Sequence, residues 1–439
     1  MILIEVIGND VYSVAFHTGE GYAGHRKGRC MRDQLIDAME KARREVNNWP
    51  EKAVQLYHHN DSDGLTSGAI LTRTFERKGF EVKRFCLEKP YPAVLKRVFE
   101  QRGKLIVFAD FAGRVAPLIS DLNSGRNLTL ILDHHKANPP TDPMVHNLDP
   151  ELFGLKGDLD ITASTTCYLF AKIMDPLNQD LAYIAAIGAV GDQFFLKGRL
   201  ATLNREVALE AQKQGLLEIR EHDRGESYFL LTPAGPLACD ALGRYLDTLG
   251  AAGYYEGGPD MGVAVCLDGI SQESDRRLEE LRKIQNRIFE DQIKRIKQGE
   301  LHQGKHIQWF HVQERFDPMG VKMIGAFCDA YKDTDAFDPK KYIAGFQVIP
   351  NKIPGFGPIT FDEVKISMRV SSLLQEQIRA GQAMALDTFL PEATERLGGF
   401  SDACHSLTAA TTVAIGKEEA LVQEMENILR TTDSTAAGG

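Results

Sequence analysis

No two of the seven cysteines in this 439-residue chain (Cys30, Cys86, Cys167, Cys239, Cys266, Cys328, Cys404) stand in a Cys-x-x-Cys spacing, and their number is odd. A zinc ribbon built on cysteine pairs is thereby excluded, no disulfide framework is suggested, and a reducing compartment is expected. Long hydrophobic runs are missing as well. No window approaches eighteen consecutive apolar residues, so the sequence offers no membrane-spanning helix. The opening residues Met1-Ile-Leu-Ile-Glu5 have no basic segment ahead of an apolar stretch, so no export signal is read there and a cytoplasmic location is expected. Positive charge is in deficit: 51 Lys and Arg against 61 Asp and Glu give a formal charge of -10. A field of that sign repels phosphate, so nucleic acid would have to bind through a local basic surface.

What is present is the composition of a globular protein, 43% hydrophobic and 26% charged, long enough for two or three domains. From Lys52 onward strand-like runs alternate with helix-like ones. Ala53 to Tyr57 leads into His58-His59-Asn60-Asp61-Ser62-Asp63-Gly64 and then a helix from Leu65 to Lys78; Lys104 to Ala109 ends at Asp110; Asn127 to Leu132 ends at Asp133-His134-His135. Such alternation predicts a parallel, doubly wound α/β sheet. A mostly helical stretch follows from Ala163 to about Leu249, with an apolar run from Leu181 that ends at Gly191-Asp192. A Gly-rich patch from Gly250 to Gly262 breaks the pattern. Ser271 to Gly299 reads as one amphipathic helix, a connector between two lobes, with its apolar stripe among eight basic and six acidic residues. Strand-like runs resume at Ile307–His311, Tyr342–Ile349 and Val364–Val370, followed by two helix-like segments to Leu429.

In open parallel sheets ligands bind at the carboxyl ends of the strands. Three strand ends here carry carboxylate or imidazole, and two of them carry a His-His pair. A single Asp at such a place is usually a turn or cap residue, but three on one sheet edge point to a shared site. Several Asp with a few His and no cysteine suit Mn²⁺ or Mg²⁺ better than structural zinc. Two such ions about 4 Å apart would activate water and screen a phosphoryl group, which points to phosphoester cleavage.

The run from His59 to Gly68 (H-N-D-S-D-G-L-T-S-G), the isolated Asp110, Asp133-His134-His135 and Gly191-Asp192 resemble the four successive motifs of the DHH phosphoesterase superfamily. The C-terminal part, through Ile307–Phe310, Met319–Gly325, Ser367-Met-Arg369 and Gly398-Gly399, is similar to the DHH-associated domain of RecJ-type exonucleases, in particular their archaeal relatives. The resemblance covers roughly Lys52 to Leu429. It implies a doubly wound DHH domain joined by a long helix to a smaller α/β domain, divided as 1–50 (accessory segment), 51–270, 271–300 (connector), 301–430 and a disordered tail 431–439. It implies metal ligands at His59, Asp61, Asp63, Asp110, His134 and Asp192, with Asp110 bridging two divalent cations, Mn²⁺ before Mg²⁺. His135 would touch the phosphate or leaving oxygen with Asp133 as its companion, while His58 is a neighbour. In the second lobe Arg369, Gly398, Gly399 and His405 would grip a substrate phosphate. Five residues separate Gly399 from His405, and Thr408-Ala409-Ala410 stands where the family has Ala-Ala-Gly, so the pocket is expected to be retained but altered.

Arg73 to Lys104 holds ten basic and four acidic residues, a net of +6 just after the first motif; a solvated helix face is the commoner explanation of such a run, but its location would let it track a nucleic-acid strand into the site. Three readings remain: an exonuclease on single-stranded DNA or RNA, the same chemistry on short oligonucleotides, cyclic dinucleotides or nucleotide bisphosphates, and a non-catalytic replication scaffold. The oligomeric state is open. Residues 1–50 are expected to hold an accessory strand pair, a loop at Gly19–Arg29 and an amphipathic helix from Asp33 to Asn48.

Overall fold

The structure is a computed structural model that describes residues 22–436. Its first lobe contains α1 (Tyr22–Asn48), β1 (Ala53–His58), α2 (Ser62–Arg77), β2 (Glu81–Cys86), α3 (Pro92–Val98), β3 (Leu105–Ala109), α4 (Ala116–Asn123), β4 (Leu128–Leu132), β5 (Val145–Asn147), α5 (Ala163–Met174), α6 (Ala182–Gly191) and α7 (Thr202–Lys213). The five strands form one parallel sheet in the order β2-β1-β3-β4-β5. All five residues of β3 and all five of β4 are buried, as expected of central strands covered on both faces. Val54, Leu56, Leu105, Val107, Leu128 and Leu130 face the core under α1, α2, α5 and α6, while Tyr57, Ile106, Phe108 and Ile131 face α3 and α4. The strand order reverses between β1 and β3. That switch opens a crevice at their carboxyl ends.

Helix α1 packs Leu35, Met39, Ala42 and Val46, each 0% exposed, onto this lobe. It begins at Tyr22, so the loop expected at Gly19–Arg29 is helical from residue 22; isolated glycines cost a helix only about 1 kcal/mol each and do not break it. Residues 19–21, and the strand pair expected near the start, lie outside the described residues.

The stretch expected to be mostly helical up to Leu249 contains a three-stranded antiparallel sheet, β6 (Leu217–His222), β7 (Gly225–Thr232) and β8 (Gly235–Ala238). Its strands are half exposed, so they lack the apolar runs that reveal buried strands. The Gly-rich patch expected to break the helical pattern is itself helical: α8 (Cys239–Asp247) runs on as a π-helical turn over Thr248–Ala252, a 3₁₀ turn spans Tyr254–Glu256, and α9 (Gly258–Asp268) follows; α10 (Gln272–Lys297) then starts with a Ser271/Ser274 capping box.

The second lobe contains β9 (His302–Gln303), β10 (Ile307–His311), α11 (Met323–Tyr331), β11 (Tyr342–Val348), β12 (Lys352–Ile353), β13 (Gly357–Pro358), β14 (Glu363–Arg369), α12 (Ser372–Arg379), α13 (Leu386–Arg396), β15 (Phe400–Cys404), β16 (Thr408–Ala414) and α14 (Glu418–Ala436). Its mixed sheet runs β15-β16-β14-β11-β10-β9, with only β10 and β11 parallel. Residues 431–436, expected to be a disordered tail, are helical. They are mostly polar but free of Gly and Pro, so a helix already nucleated runs on through them. Among the described residues no helix is long and apolar enough to cross a membrane.

The lobes share a core, since Val321, Ile349, Ile353, Ile359 and Phe361 of the second pack with α3 and α4 of the first. They are also latched by Glu88. This residue is 4% exposed, and its carboxylate accepts from the backbone N–H of Val321 at 3.0 Å and of Lys322 at 2.9 Å, and from Asn60 Nδ2 at 3.3 Å. Removing it strands buried donors on both lobes. Glu88→Ala is expected to lower unfolding stability by about 3 kcal/mol and to separate the two lobes' transitions in a urea titration.

Candidate metal and phosphate site

Sheet register decides what meets in the crevice. His58 pairs with Ala109 across β1/β3, and Ala109 with Leu132 across β3/β4, so the next residues, His59, Asp110 and Asp133, emerge side by side. Asp110 and Ala112 adopt φ of +67° and +86°, left-handed conformations that cost a non-Gly residue on the order of 1–3 kcal/mol and are held here by the turn after β3. Asp61 caps α2 by accepting from Gly64 N at 2.9 Å. Asp63, in the first turn of α2, accepts from Ala163 N (2.8 Å) and Ser164 N (3.0 Å) at the start of α5. Asp192 closes α6.

These side chains fall into two donor groups, and Asp110 and His134 form a third with His135. His59, Asp61 and Asp110 make one, with His59 Nδ1 2.8 Å from Asp61 Oδ2 and 3.4 Å from Asp110 Oδ2. Asp63, His134 and Asp192 make the other: His134 Nε2 lies 3.9 Å from Asp63 Oδ2 and 3.6 Å from Asp192 Oδ2. Asp110 stands between them, its Oδ1 3.4 Å from His134 Nε2. His134 Nδ1 is engaged by the carbonyl of Gly157 at 2.8 Å, which turns Nε2 toward the carboxylates in the tautomer a cation would need.

The arrangement is electrostatically incomplete. Burial, with Asp110 and Asp192 nearby, pushes the Asp63 carboxyl well above its usual range, and burial raises that of Asp192 to about 6. The Asp192 Oδ2 atom is buried without a hydrogen-bond partner. Hard oxygen and imidazole donors, crowded like charges and an orphaned buried oxygen all fit divalent cations. All six side chains that the family resemblance proposed as ligands are thus brought together. His58 is not among them. It packs against Gly68 of α2, bonds the carbonyl of His59 at 2.8 Å, and is pushed by burial down to about 4.

Asp133 sits one layer back. Its carboxylate accepts from Gly113 N and His134 N, both at 2.8 Å, and lies 2.7 Å from His135 Nδ1. Burial alone would lower the His135 imidazole, but Asp133 outweighs it and holds the pKa raised to about 9. His135 lines the cleft.

The opposite wall of this cleft, about 260 Å³ in volume, is cationic. Alternation along β14 points Lys365, Ser367 and Arg369 into it, Lys89 arrives from the β2–α3 loop, and His405 closes one side. Lys322 reaches across from the second lobe to Asp61 Oδ2 at 2.6 Å. Arg369 is braced by Asp329, Nε to Oδ2 at 2.6 Å. Lys365 is 4% exposed, and burial followed by repulsion from Lys89 lowers its ammonium to about 7. Motif reasoning passed over Lys89, Lys322 and Lys365. The period-two spacing Lys365-x-Ser367-x-Arg369 is the signal that could have found one of them.

Two expectations are corrected. Gly398 and Gly399 do not line the cleft. Gly398, with φ +71°, terminates α13 by bonding Glu395 O, and the five residues that follow Gly399 form β15, which carries His405 to the cleft and leaves the glycines at the strand's far end. The basic segment 73–104 is not one surface either. Arg73, Arg77, Lys78, Arg84 and Lys104 pair with Asp268, Asp180, Asp175, Asp260 and Glu51, and of the segment's cations only Lys89 lines the cleft.

Residues 53–189 match the family model described as the DHH family, N-terminal domain, and the chain is similar to that family over this segment. The full two-lobed fold is similar to that of RecJ from Thermus thermophilus, solved with Mn²⁺ (15% identity, TM-score 0.57, covering 90% of this chain and 55% of that one). It is also similar to that of CDC45 from Entamoeba histolytica (10% identity, TM-score 0.50, covering 92% and 99%). An uncharacterized protein of Methanocaldococcus jannaschii is 29% identical over 177 residues, 38% of each chain. The chain therefore spans about half of that RecJ and matches well under half of the curated relative.

Because Asp192 Oδ2 has no partner to lose, Asp192→Asn is expected to leave the chelated protein as stable as wild type or slightly more so. In the same variant, the stabilisation expected of Mn²⁺ in wild type, about 3 kcal/mol at a concentration near a hundred times the dissociation constant, should shrink, and with it the rise in Tm. Scanning calorimetry with and without chelator reads both. A Cβ at Gly157 would lie 1.5 Å from the carbonyl of His134, so Gly157→Ala is expected to displace His134 and cost metal affinity about 10- to 100-fold by isothermal titration.

Proposed function

We propose that this chain is a metal-dependent phosphodiesterase that removes nucleotides from single-stranded DNA or RNA, with Mn²⁺ or Mg²⁺ held by His59, Asp61, Asp63, Asp110, His134 and Asp192. The observation that carries this reading is two donor groups joined through Asp110, facing a cationic strand across one cleft. Divalent cations bound there would neutralise the crowded carboxylates and activate a water for attack on phosphorus. Lys365, Ser367, Arg369 and His405 orient the phosphate from the other wall, the guanidinium suiting a non-bridging edge. His135, held by Asp133, supplies a proton at the leaving oxygen.

The pairing of five of the ten cations of segment 73–104 with acids away from the cleft favours short oligonucleotides, cyclic dinucleotides or nucleotide bisphosphates as a second reading of the same chemistry. An intact donor set speaks against a non-catalytic scaffold. End-labelled strands of two and twenty nucleotides, incubated with Mn²⁺, decide between the readings: faster turnover of the longer excludes the small-substrate form. If both stay intact and Asp110→Ala behaves as wild type, the enzymatic reading fails.

Lys365 adds a pH signature. An ammonium lowered to about 7 loses its charge as pH rises through 7, so the KM for a phosphate-terminated dinucleotide is expected to climb severalfold between pH 6.5 and 8.5. In Lys365→Met the KM should be high throughout and flat. Steady-state kinetics across that range check it.

A further inference from the structure

Beyond Asp192 the chain stays beside the cleft. Gln193 (φ +63°) and Lys197 (φ +52°) take left-handed conformations at the two ends of a short loop that carries Phe194, Phe195 and Leu196. The Phe194 ring lies 6.2 Å from that of His134 and 6.3 Å from that of His405, where the metal wall and the phosphate wall meet. Phe195 is 37% exposed and stacked on Tyr228 at 6.4 Å, and Leu196 is 52% exposed. The loop is held rigidly. Tyr228 OH accepts from Leu200 N at 2.9 Å and donates to Glu226 at 2.7 Å, and Glu226 N donates to Gly198 O at 2.9 Å. Gly198 and Gly225 approach so closely that a Cβ on Gly225 would lie 2.1 Å from Gly198 O. The β6–β8 sheet is thus a bracket for an aromatic loop, and nothing in the hydrolytic chemistry requires it.

We infer that Phe194 is a nucleobase platform: the base of the nucleotide next to the cleaved phosphate stacks on its ring, making it a specificity residue. The inference rests on the proposed hydrolysis and narrows the substrate to phosphodiesters that carry a base, excluding inorganic polyphosphate and sugar phosphates as preferred substrates. Stacking is indifferent to base identity, since every base offers a π face. The Phe194 ring therefore selects for nucleotides without selecting a sequence.

The test compares a dinucleotide with its analogue lacking the base on the nucleotide next to the cleaved phosphate. In Mn²⁺ wild type is expected to show a KM about ten- to a hundredfold lower for the complete dinucleotide. Phe194→Leu, which keeps an apolar side chain without a ring, should bring that ratio close to one, and Phe194→Tyr should restore it. A ratio near one in wild type, or one retained in Phe194→Leu, overturns the inference. Should wild type cleave neither compound, the hydrolytic reading fails on its own, and calorimetry with a nucleoside monophosphate against ribose 5-phosphate still decides the platform: tighter nucleotide binding that Phe194→Leu loses supports it, and equal binding refutes it.

Discussion

Four carboxylates gathered at one sheet edge repel one another, and much of the first lobe is arranged to tolerate that. Asp61 and Asp63 stand at the amino end of α2, where the helix dipole favours negative charge, and Asp63 also takes two N–H groups from the start of α5. Asp133 is satisfied by two backbone donors and His135, so its charge is stable one layer behind. Asp110 and Asp192 have less relief, since among the described residues neither accepts a backbone N–H across the cleft, and they meet the imidazoles of His59 and His134 at 3.4 to 3.6 Å. The repulsion that remains is concentrated where a cation would remove it.

The second lobe completes the site by reaching across, and Glu88 sets how it does so. By accepting from the N–H groups of Val321 and Lys322 it fixes the turn that presents the Lys322 ammonium to Asp61. The same loop supplies Lys89 to the cationic wall and donates through it to the carbonyl of Ala410 on β16. One short connection after β2 therefore couples the geometry of the metal wall to that of the phosphate wall. The shared apolar core around Val321, Ile349 and Phe361 keeps the two in register.

How much of this could be read beforehand follows from how local each signal is. β3 and β4 are short apolar runs that end at Asp110 and Asp133, so both the strands and their functional ends were visible, and the amphipathic stripe of α10 was equally plain. The donor set came from motif resemblance, since no spacing rule places Asp192 beside Asp63 across more than a hundred residues. The β6–β8 sheet went unseen because half-exposed strands have a weak pattern. The glycine pair misled because a motif was counted in residues: five residues in a strand span far more distance than five in a turn. Segment 73–104 misled because a charge tally ignores partners, and five of its ten cations pair with acids distant in sequence.

The acidic balance of the chain, which argued against phosphate binding, looks different once the cleft is seen as two walls. Asp61, Asp63, Asp110 and Asp192 gather at one, and Lys89, Lys365 and Arg369 at the other, so a phosphate entering a cation-free cleft is attracted from one side and repelled from the opposite one. Two divalent cations would carry as much positive charge as four carboxylates carry negative, so their binding would cancel the repelling wall and leave the attraction of the cationic wall unopposed. Under the proposed function, cation and phosphate binding are then linked, and linkage is reciprocal: the factor by which cations tighten phosphate is the factor by which phosphate tightens the cations. Under that linkage a chain with a net charge of -10 would bind phosphate through one local site and not through its overall field.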